Sequence, residues 1–322
     1  MKTLVLGHIH PDTDTTCSAI AYAWYLNNRK NRPAEAVMAG EPNKETAFVL
    51  SHFQLPAPRQ ISSVTAEDSI VIVDTNNPEE LLPGHAEAQI VEVIDHHKLA
   101  GGLRTTQPPT ITMRPVACTA TLLLQIMGND ASTLPKEIAG IMAAAIISDT
   151  LLFTSPTTTE EDKKAVDVLA KQAGIEPGAL ADEMFAAKSD LTGLSLDDIL
   201  TVDSKVIAIG EKRIRISVLE TTAPAQAVVM RADLEKRMRE RKVEENLDSA
   251  FFFVVDILKS EAILIVPSET EKQMAGQAFE QPFTGETLVL PGVISRKKQI
   301  LPRLEPVISG FSELKSTVAS NK

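Results

Sequence analysis

The chain has 322 residues, 43% of them hydrophobic, with 32 basic against 43 acidic side chains and a formal net charge of −11. That length suggests about two domains. The apolar content excludes wholesale disorder. The acidic balance argues against general nucleic-acid binding, which needs a basic face. An anionic small substrate stays open, because metal ions and a few local Lys or Arg residues reverse the sign inside a cleft. The two cysteines, Cys17 and Cys118, are too few for a disulfide framework; they fit a reducing compartment and read as small buried hydrophobes. The opening run "MKTLVLGHIHPD" is too short in apolar residues for a signal peptide. The longest apolar stretch, "AGIMAAAII" at 139–147, falls short of the ~20 residues a membrane helix needs. A soluble cytoplasmic protein with no membrane partner is the expectation.

In chain order, "TLVLGH" (3–8), "AVMAG" (36–40), "SIVIVD" (69–74), "IVEVID" (90–95) and "TITMRPV" (110–116) read as strands. Residues 15–30, 43–53, 119–128, 135–147 and 159–173 read as helices. Near-continuous apolar strands separated by helices predict a parallel sheet covered on both faces, doubly wound, with ligands at the carboxyl ends of its strands. The polar stretch "KSDLTGLSLDD" (188–198) carries no sustained apolar period and marks a boundary. Beyond it, "IRISVLET" (214–221), "AFFFVVDIL" (250–258) and "AILIVP" (262–267) read as strands, with a charged amphipathic helix over 226–245. The fold expected is α/β: an N-terminal doubly wound parallel sheet and a smaller C-terminal α+β domain with a mixed or antiparallel sheet, the active site lying in the cleft between them. The divisions are 1–188 for the catalytic domain, 189–195 for a hinge, 196–310 for the substrate-binding domain and 311–322 for a frayed tail.

Three apolar strands of the first domain end in metal-type residues. The first ends at His8, followed by Asp12 and Asp14; the third at Asp74; the fourth at Asp95, His96 and His97. If the strands are parallel, these ends share one sheet edge. Four of the six histidines stand in two of these clusters, and His52 and His85 read as surface residues. Taken singly, each cluster has a plain reading, such as Asp74 as a turn former; their agreement is what favours metal. Asp149 interrupts "AGIMAAAIISDTLLF", where an ionised carboxylate is costly unless paired or metal-bound. Its plain reading is a cap near Ser148 and Thr150.

The resulting set is His8, Asp12, Asp14, Asp74, His96 and Asp149. Imidazole and carboxylate donors without thiolate suit Mn, Zn or Co, with Mn and Mg favoured as oxygen donors increase. Six ligands are too many for one ion with an open position and suit two ions sharing a carboxylate, the arrangement that clamps a displacement at phosphorus. In the second domain, "VISRKKQILPRL" (293–304) gathers Ser295, Arg296, Lys297 and Lys298. Alone it reads as a solvated basic turn; facing a two-metal site it reads as a grip on an anion.

"GHIHPDTD", "VDTN", "VIDHHK", "SDT" with "TSPTT", and "SRKKQ", in this order, strongly resemble a manganese-dependent (family II) inorganic pyrophosphatase of the DHH phosphoesterase superfamily. The match runs from residue 3 to about 310, and the "SRKKQ" loop is what points to the pyrophosphatase branch. The resemblance implies that His8, Asp12 and Asp74 hold one Mn²⁺, and that Asp14, Asp74, His96 and Asp149 hold the other, with Asp74 bridging. It implies that His97 and Lys205 contact substrate, that Arg296 and Lys297 grip the terminal phosphate, and that Asp95 orients the site from behind. Asp14, Asp74, His97 and Lys205 then carry the catalysis. The family has Asn where this chain has His10, so His10 matches no family ligand. Further implications are two Mn²⁺ per subunit (Co²⁺ as a substitute), a Mg²⁺ arriving with substrate, domain closure about the 188–198 segment, a compact form without regulatory nucleotide-binding domains, and a homodimer. The reaction implied is hydrolysis of inorganic pyrophosphate to two orthophosphates by a water or hydroxide activated between two metals. Two rivals stand beside it. One is a DHH-type phosphodiesterase acting on short oligonucleotides or cyclic dinucleotides, for which no glycine-rich nucleotide motif is found. The other is a non-catalytic metal or phosphate sensor.

Overall fold

The computed structural model describes residues 2–283 and 285–319. It divides into two compact units, Met1–Lys188 and Ser189–Lys322.

The first unit runs β1 (Thr3–Leu6), α1 (Thr13–Arg29), β2 (Ala34–Met38), α2 (Lys44–His52), β3 (Arg59–Gln60), β4 (Ser69–Val73), β5 (Gln89–Asp95), β6 (Thr110–Met113), α3 (Thr119–Met127), α4 (Lys136–Thr150), α5 (Glu160–Ala173) and α6 (Pro177–Lys188). Its six strands lie in the order β3-β2-β1-β4-β5-β6, and every pairing is parallel. From β1 the chain winds outward to one edge, returns to β4, and winds outward to the other. The topological switch therefore falls between β1 and β4, where open α/β sheets form their ligand crevice.

Successive strand residues face opposite sides. Val5, Val71, Val73 and Ile94 join the large core formed with the buried residues of the helices. Leu6, Ile70, Ile72, Ile90 and Val93 face a second core closed by Val64, Leu81, Leu82 and Ala88 from connecting segments. The two faces are thus covered unequally, and this packing accounts for the near-continuous apolar strands. The sixth strand stops at Met113, three residues short of the expected end, and α4 runs past 147 to Thr150, which places Asp149 in its last turn.

The second unit comprises α7 (Leu196–Thr201), β7 (Asp203–Ile209), β8 (Lys212–Thr221), α8 (Pro224–Val229), α9 (Arg231–Glu244), β9 (Ser249–Asp256), β10 (Glu261–Ile265), α10 (Glu269–Ala278), β11 (Leu288–Pro291) and α11 (Leu301–Ala319). Its sheet, β11-β10-β9-β8-β7, is mixed: β8 and β9 are parallel and the other neighbours antiparallel. Central β9 is buried on both faces, with Phe251, Phe253 and Val255 in one core and Ala250, Phe252 and Val254 in the other. The single helix expected over 226–245 is two, separated at Met230, whose N–H bonds to the Ala227 carbonyl and closes the first. Of the expected tail, residues 320–322 lie outside the described residues.

Candidate metal centre

His8 follows β1 and Asp74 follows β4, so the switch point itself brings them together. Gly7 makes this approach possible: a Cβ there would stand 2.6 Å from the Val73 carbonyl oxygen and 2.5 Å from Thr15 Cγ2. Asp74 adopts φ +63°, an uncommon region for a residue other than glycine and one that gathers at functional sites. Its carboxylate is buried, and its two oxygens face different partners. Oδ2 lies 3.5 Å from His8 Nε2, and Oδ1 lies 3.3 Å from His96 Nε2.

The start of α1 supplies two more carboxylates. Asp12 caps the helix, with Oδ1 accepting from Thr15 N at 2.9 Å, while Oδ2 lies 3.6 Å from His8 Nε2. Asp14 lies in the first turn of α1 and is buried. Its Oδ1 accepts from Ser18 Oγ (2.7 Å) and Ala120 N (3.2 Å), and Oδ2 accepts from Thr119 N (2.6 Å) and stands 3.9 Å from His96 Nε2. Thr15 Oγ1 and Thr119 Oγ1 donate to Asp74, at 2.6 and 3.1 Å. The N-termini of α1 and α3 thus present backbone N–H groups to an acidic cluster.

Three groups of donors result: His8–Asp12–Asp74, Asp14–His96–Asp149 and Asp74–His96–His97, the offered atoms of each within 4.8 Å of one another. All six predicted ligands are brought together. Asp12, Asp74, His96, His97 and Asp149 line a pocket of about 200 Å³. After Asp149, Leu151, Leu152 and Phe153 hold φ of 46°, 49° and 69° in succession. Left-handed residues of this kind cost roughly 1–2 kcal/mol each, so the backbone leaving the site is strained.

The electrostatics follow from crowding four carboxylates around two imidazoles. Burial, then the Asp74 charge, pushes Asp14 up to about 7. Burial, then Asp14 and Asp12, drives Asp149 well above the usual carboxylate range. For His8, burial alone would lower the pKa, but Asp12 and Asp74 outweigh it and raise it to about 10. His96 is likewise raised to about 9, burial being overcome by Asp74 and Asp14. For Asp74 the penalty of burial is overcome by the His8 and His96 bonds, which hold it far below the usual range. This negative excess calls for cations. Cys17 and Cys118 are buried, and burial holds both thiols well above their ordinary pKa, so nitrogen and oxygen are the donors on offer. The residues fit two hard or borderline divalent ions.

Behind the cluster, Asp95 is fully buried and accepts from His97 N (3.0 Å), His97 Nδ1 (2.9 Å) and Asn76 Nδ2 (2.5 Å). That fixes the His97 ring with Nδ1 donating and leaves Nε2 for another partner. His10 is exposed.

In the second unit, Lys205 on edge strand β7 and Ser295, Arg296 and Lys297 line one pocket of about 540 Å³, although some ninety positions separate them in sequence. Arg296 Nη1 pairs with Asp203 Oδ1 at 2.8 Å. The 296–300 turn is π-helical, and Gln299 staples it: Oε1 accepts from Ile294 N (3.0 Å) and Ser295 N (2.9 Å), and Nε2 donates to Gly292 O (2.5 Å).

Sequence reasoning missed the residues that support the candidate ligands or the segments beside them: Gly7, Thr15, Ser18, Thr119 and Glu45. Glu45, only 1% exposed, accepts through Oε2 from Ser148 Oγ (2.8 Å), Thr13 Oγ1 (3.1 Å) and Lys188 Nζ (3.2 Å). Thr13 and Ser148 adjoin Asp12, Asp14 and Asp149. An Asn-x-Glu helix start at 43–45 was the one local sign of this residue.

The DHH family N-terminal domain matches residues 2–146, and the DHHA2 domain matches 182–307. Proteins of Shouchella clausii and an Exiguobacterium strain, both bearing the name probable manganese-dependent inorganic pyrophosphatase, are 38% and 39% identical; the matches cover 97% and 94% of this chain and 99% and 97% of theirs. A crystal structure from Methanococcus jannaschii, of a protein assigned to the family II inorganic pyrophosphatases, is 33% identical with a TM-score of 0.63, over 95% of this chain and 99% of that one.

Proposed function

This chain belongs to the family of manganese-dependent inorganic pyrophosphatases, and we propose that it hydrolyses inorganic pyrophosphate to two orthophosphates. The observation that carries this reading is the division of the Asp74 carboxylate, one oxygen toward His8 and the other toward His96. His8, Asp12 and Asp74 hold one Mn²⁺; Asp14, Asp74, His96 and Asp149 hold the second. Co²⁺ substitutes for Mn²⁺, and a Mg²⁺ accompanies the substrate. Bound divalent ions supply Lewis acidity toward phosphoryl oxygens and lower the pKa of water.

The chain's own residues do the rest. The Asp12 and Asp14 carboxylates, fixed by helix N–H groups, keep the donor set in place before substrate arrives. His97, its Nδ1 proton held by Asp95, acts as the imidazolium and donates from Nε2–H to a phosphoryl oxygen. In the second unit, Lys205 and Lys297 offer point charges, and Arg296 a planar fork, to a phosphate. Their task is to neutralise charge on the phosphoryl oxygens, the larger part of phosphoryl-transfer catalysis. We place the linker at 189–195 and assign the active form to a homodimer in the cytoplasm, with neither nucleic acid nor membrane as partner.

The test is phosphate release from pyrophosphate after Mn²⁺ loading. Turnover of pyrophosphate supports the reading. No release after loading overturns it, and so does faster hydrolysis of a dinucleotide than of pyrophosphate. Tight pyrophosphate binding without turnover would make the protein a sensor instead.

A further inference from the structure

We infer that Asp162 is a positioning residue of the metal centre, acting on His96 through a single peptide group; this rests on the reading of His96 as a metal ligand. His96 Nδ1 lies 3.1 Å from the Val116 carbonyl oxygen. A carbonyl only accepts, so Nδ1 carries a proton in the neutral and the protonated ring alike, and Nε2, 3.3 Å from Asp74 Oδ1, is the nitrogen that coordinates once its own proton is lost. The Val116 C=O and the Ala117 N–H are two ends of one planar peptide group. Ala117 N donates to Asp162, 3.1 Å from Oδ2 and 3.3 Å from Oδ1. A continuous relay results: carboxylate, peptide, imidazole, metal site.

Carboxylates bonded directly to a ligand histidine fix its tautomer and raise its basicity. Here a peptide group is interposed and polarised in the same sense. Bonds in such a chain strengthen one another by roughly 10–30% each. Asp162 is 0% exposed and Ala117 3%, so water does not screen the effect. The other donors to Asp162 are Thr121 Oγ1 (2.7 Å), Thr159 N (2.8 Å) and Thr159 Oγ1 (2.7 Å), all neutral. The Thr159 bonds cap α5, for which a full buried charge is not required. The Thr121 bond fixes the first turn of α3, whose Thr119 and Ala120 hold Asp14 and Asp74. One buried carboxylate therefore secures the 116–121 segment, and that segment touches three ligands.

Asp162→Asn keeps the shape and removes the charge; Thr159→Ala disturbs the cap but leaves the relay. Three readouts apply: Mn²⁺ affinity from the resonance of free Mn²⁺, the His96 ring ¹H–¹⁵N signals in Zn²⁺-loaded protein, and kcat against KM for pyrophosphate. D162N is expected to weaken Mn²⁺ binding about tenfold, to move the His96 Nδ1–H signal upfield, and to lower kcat with KM little changed. T159A is expected to lower Tm and leave Mn²⁺ affinity and the His96 signal in place. Native-like Mn²⁺ affinity and His96 signals in D162N overturn the relay, as does a T159A variant that reproduces the full D162N effect. If D162N does not fold, the native protein carries the test. There the Ala117 amide and His96 Nδ1 protons must both be downfield and protected from exchange, and a freely exchanging Ala117 amide overturns the relay. Failure of the native protein to bind Mn²⁺ at all would instead remove the metal-centre reading, and the relay with it.

Discussion

His96 Nε2 stands 3.3 Å from Asp74 Oδ1, while the second oxygen of that carboxylate stands 3.5 Å from His8 Nε2. One side chain thus belongs to two donor groups contributed by three neighbouring strands. Replacing it should cost both ions. Asp74→Ala is expected to abolish high-affinity Mn²⁺ binding, whereas Lys297→Ala keeps it and raises KM for pyrophosphate about 10- to 100-fold, the worth of a hydrogen bond to a charged group. Mn²⁺ titration alongside steady-state kinetics separates the two. Unchanged Mn²⁺ binding in D74A would refute the bridging role.

Metal binding should also release protons. In the metal-free protein His8 titrates at about 10 and His96 at about 9, yet both must be neutral to bind an ion. Calorimetry at pH 8 in buffers of different ionisation enthalpy is expected to report about two protons released from the two imidazoles, with any proton held by Asp149 adding to them. Affinity should climb with pH as far as about 10. A buffer-independent heat would show that these histidines are already neutral.

Stability of the metal-free protein should run the other way. Both histidines have folded pKa values above their ordinary 6.5, so their contribution is complete below pH 6.5 and is lost as pH rises through about 9 and 10. Asp14, raised to about 7 from 3.8, loses its contribution between those values in the same direction. The metal-free Tm should therefore fall between pH 6.5 and 10, and saturating Mn²⁺ should flatten or reverse the slope. A metal-free Tm that rises across this window would contradict the charge arrangement.

Gly7→Ala should damage fold and site together. Its Cβ would lie 2.6 Å from a backbone oxygen that cannot swing away, and 2.5 Å from the Thr15 side chain that holds Asp74. Overpacking of this kind costs about 1–3 kcal/mol, readable from urea unfolding, and Mn²⁺ affinity should drop with it. Wild-type stability in G7A would mean that the strand ends have room to part.

Glu45 and Lys188 should prove unequal partners. The Lys188 side chain is 42% exposed against 1% for Glu45, so screening limits Lys188→Met to about 1 kcal/mol. Glu45→Ala leaves the Ser148 hydroxyl without its acceptor, while Thr13 keeps Thr46 Oγ1 at 3.1 Å, and should cost more, about 1–3 kcal/mol for the buried group left unsatisfied. Denaturant curves for both variants check the order; equal losses would place the energy in the ion pair rather than in the buried hydroxyls.

The legible part of this molecule was what repeats or interrupts. Apolar runs ending in His8, Asp74 and His96 announced strands with chemistry at their ends, and Asp149 stood out because a charge broke a buried run. Periodicity found most helices of the first unit to within a few residues, because one face of each must reach the core. It did not find β3, α6, α7, β7, α10, β11 or α11. In the case of β7, "DSKVIAI", the strand is an exposed sheet edge with Lys205 at its third position and lacks a sustained apolar face.

The sequence by itself determined the residue types, hence the donor chemistry, and the alternation that makes a parallel sheet. Tertiary structure decided what those donors do. Only the strand order puts His8 beside Asp74 at a switch point, and only packing brings Lys205 to Arg296 and Lys297. The supports are farther from view still. Thr15, Thr119, Glu45 and Asp162 are ordinary helix-start residues on the page, because a hydrogen bond between distant segments leaves no local trace. In the fold Thr15 and Thr119 hold Asp74 and Asp14, and Glu45 and Asp162 secure the segments beside the cluster.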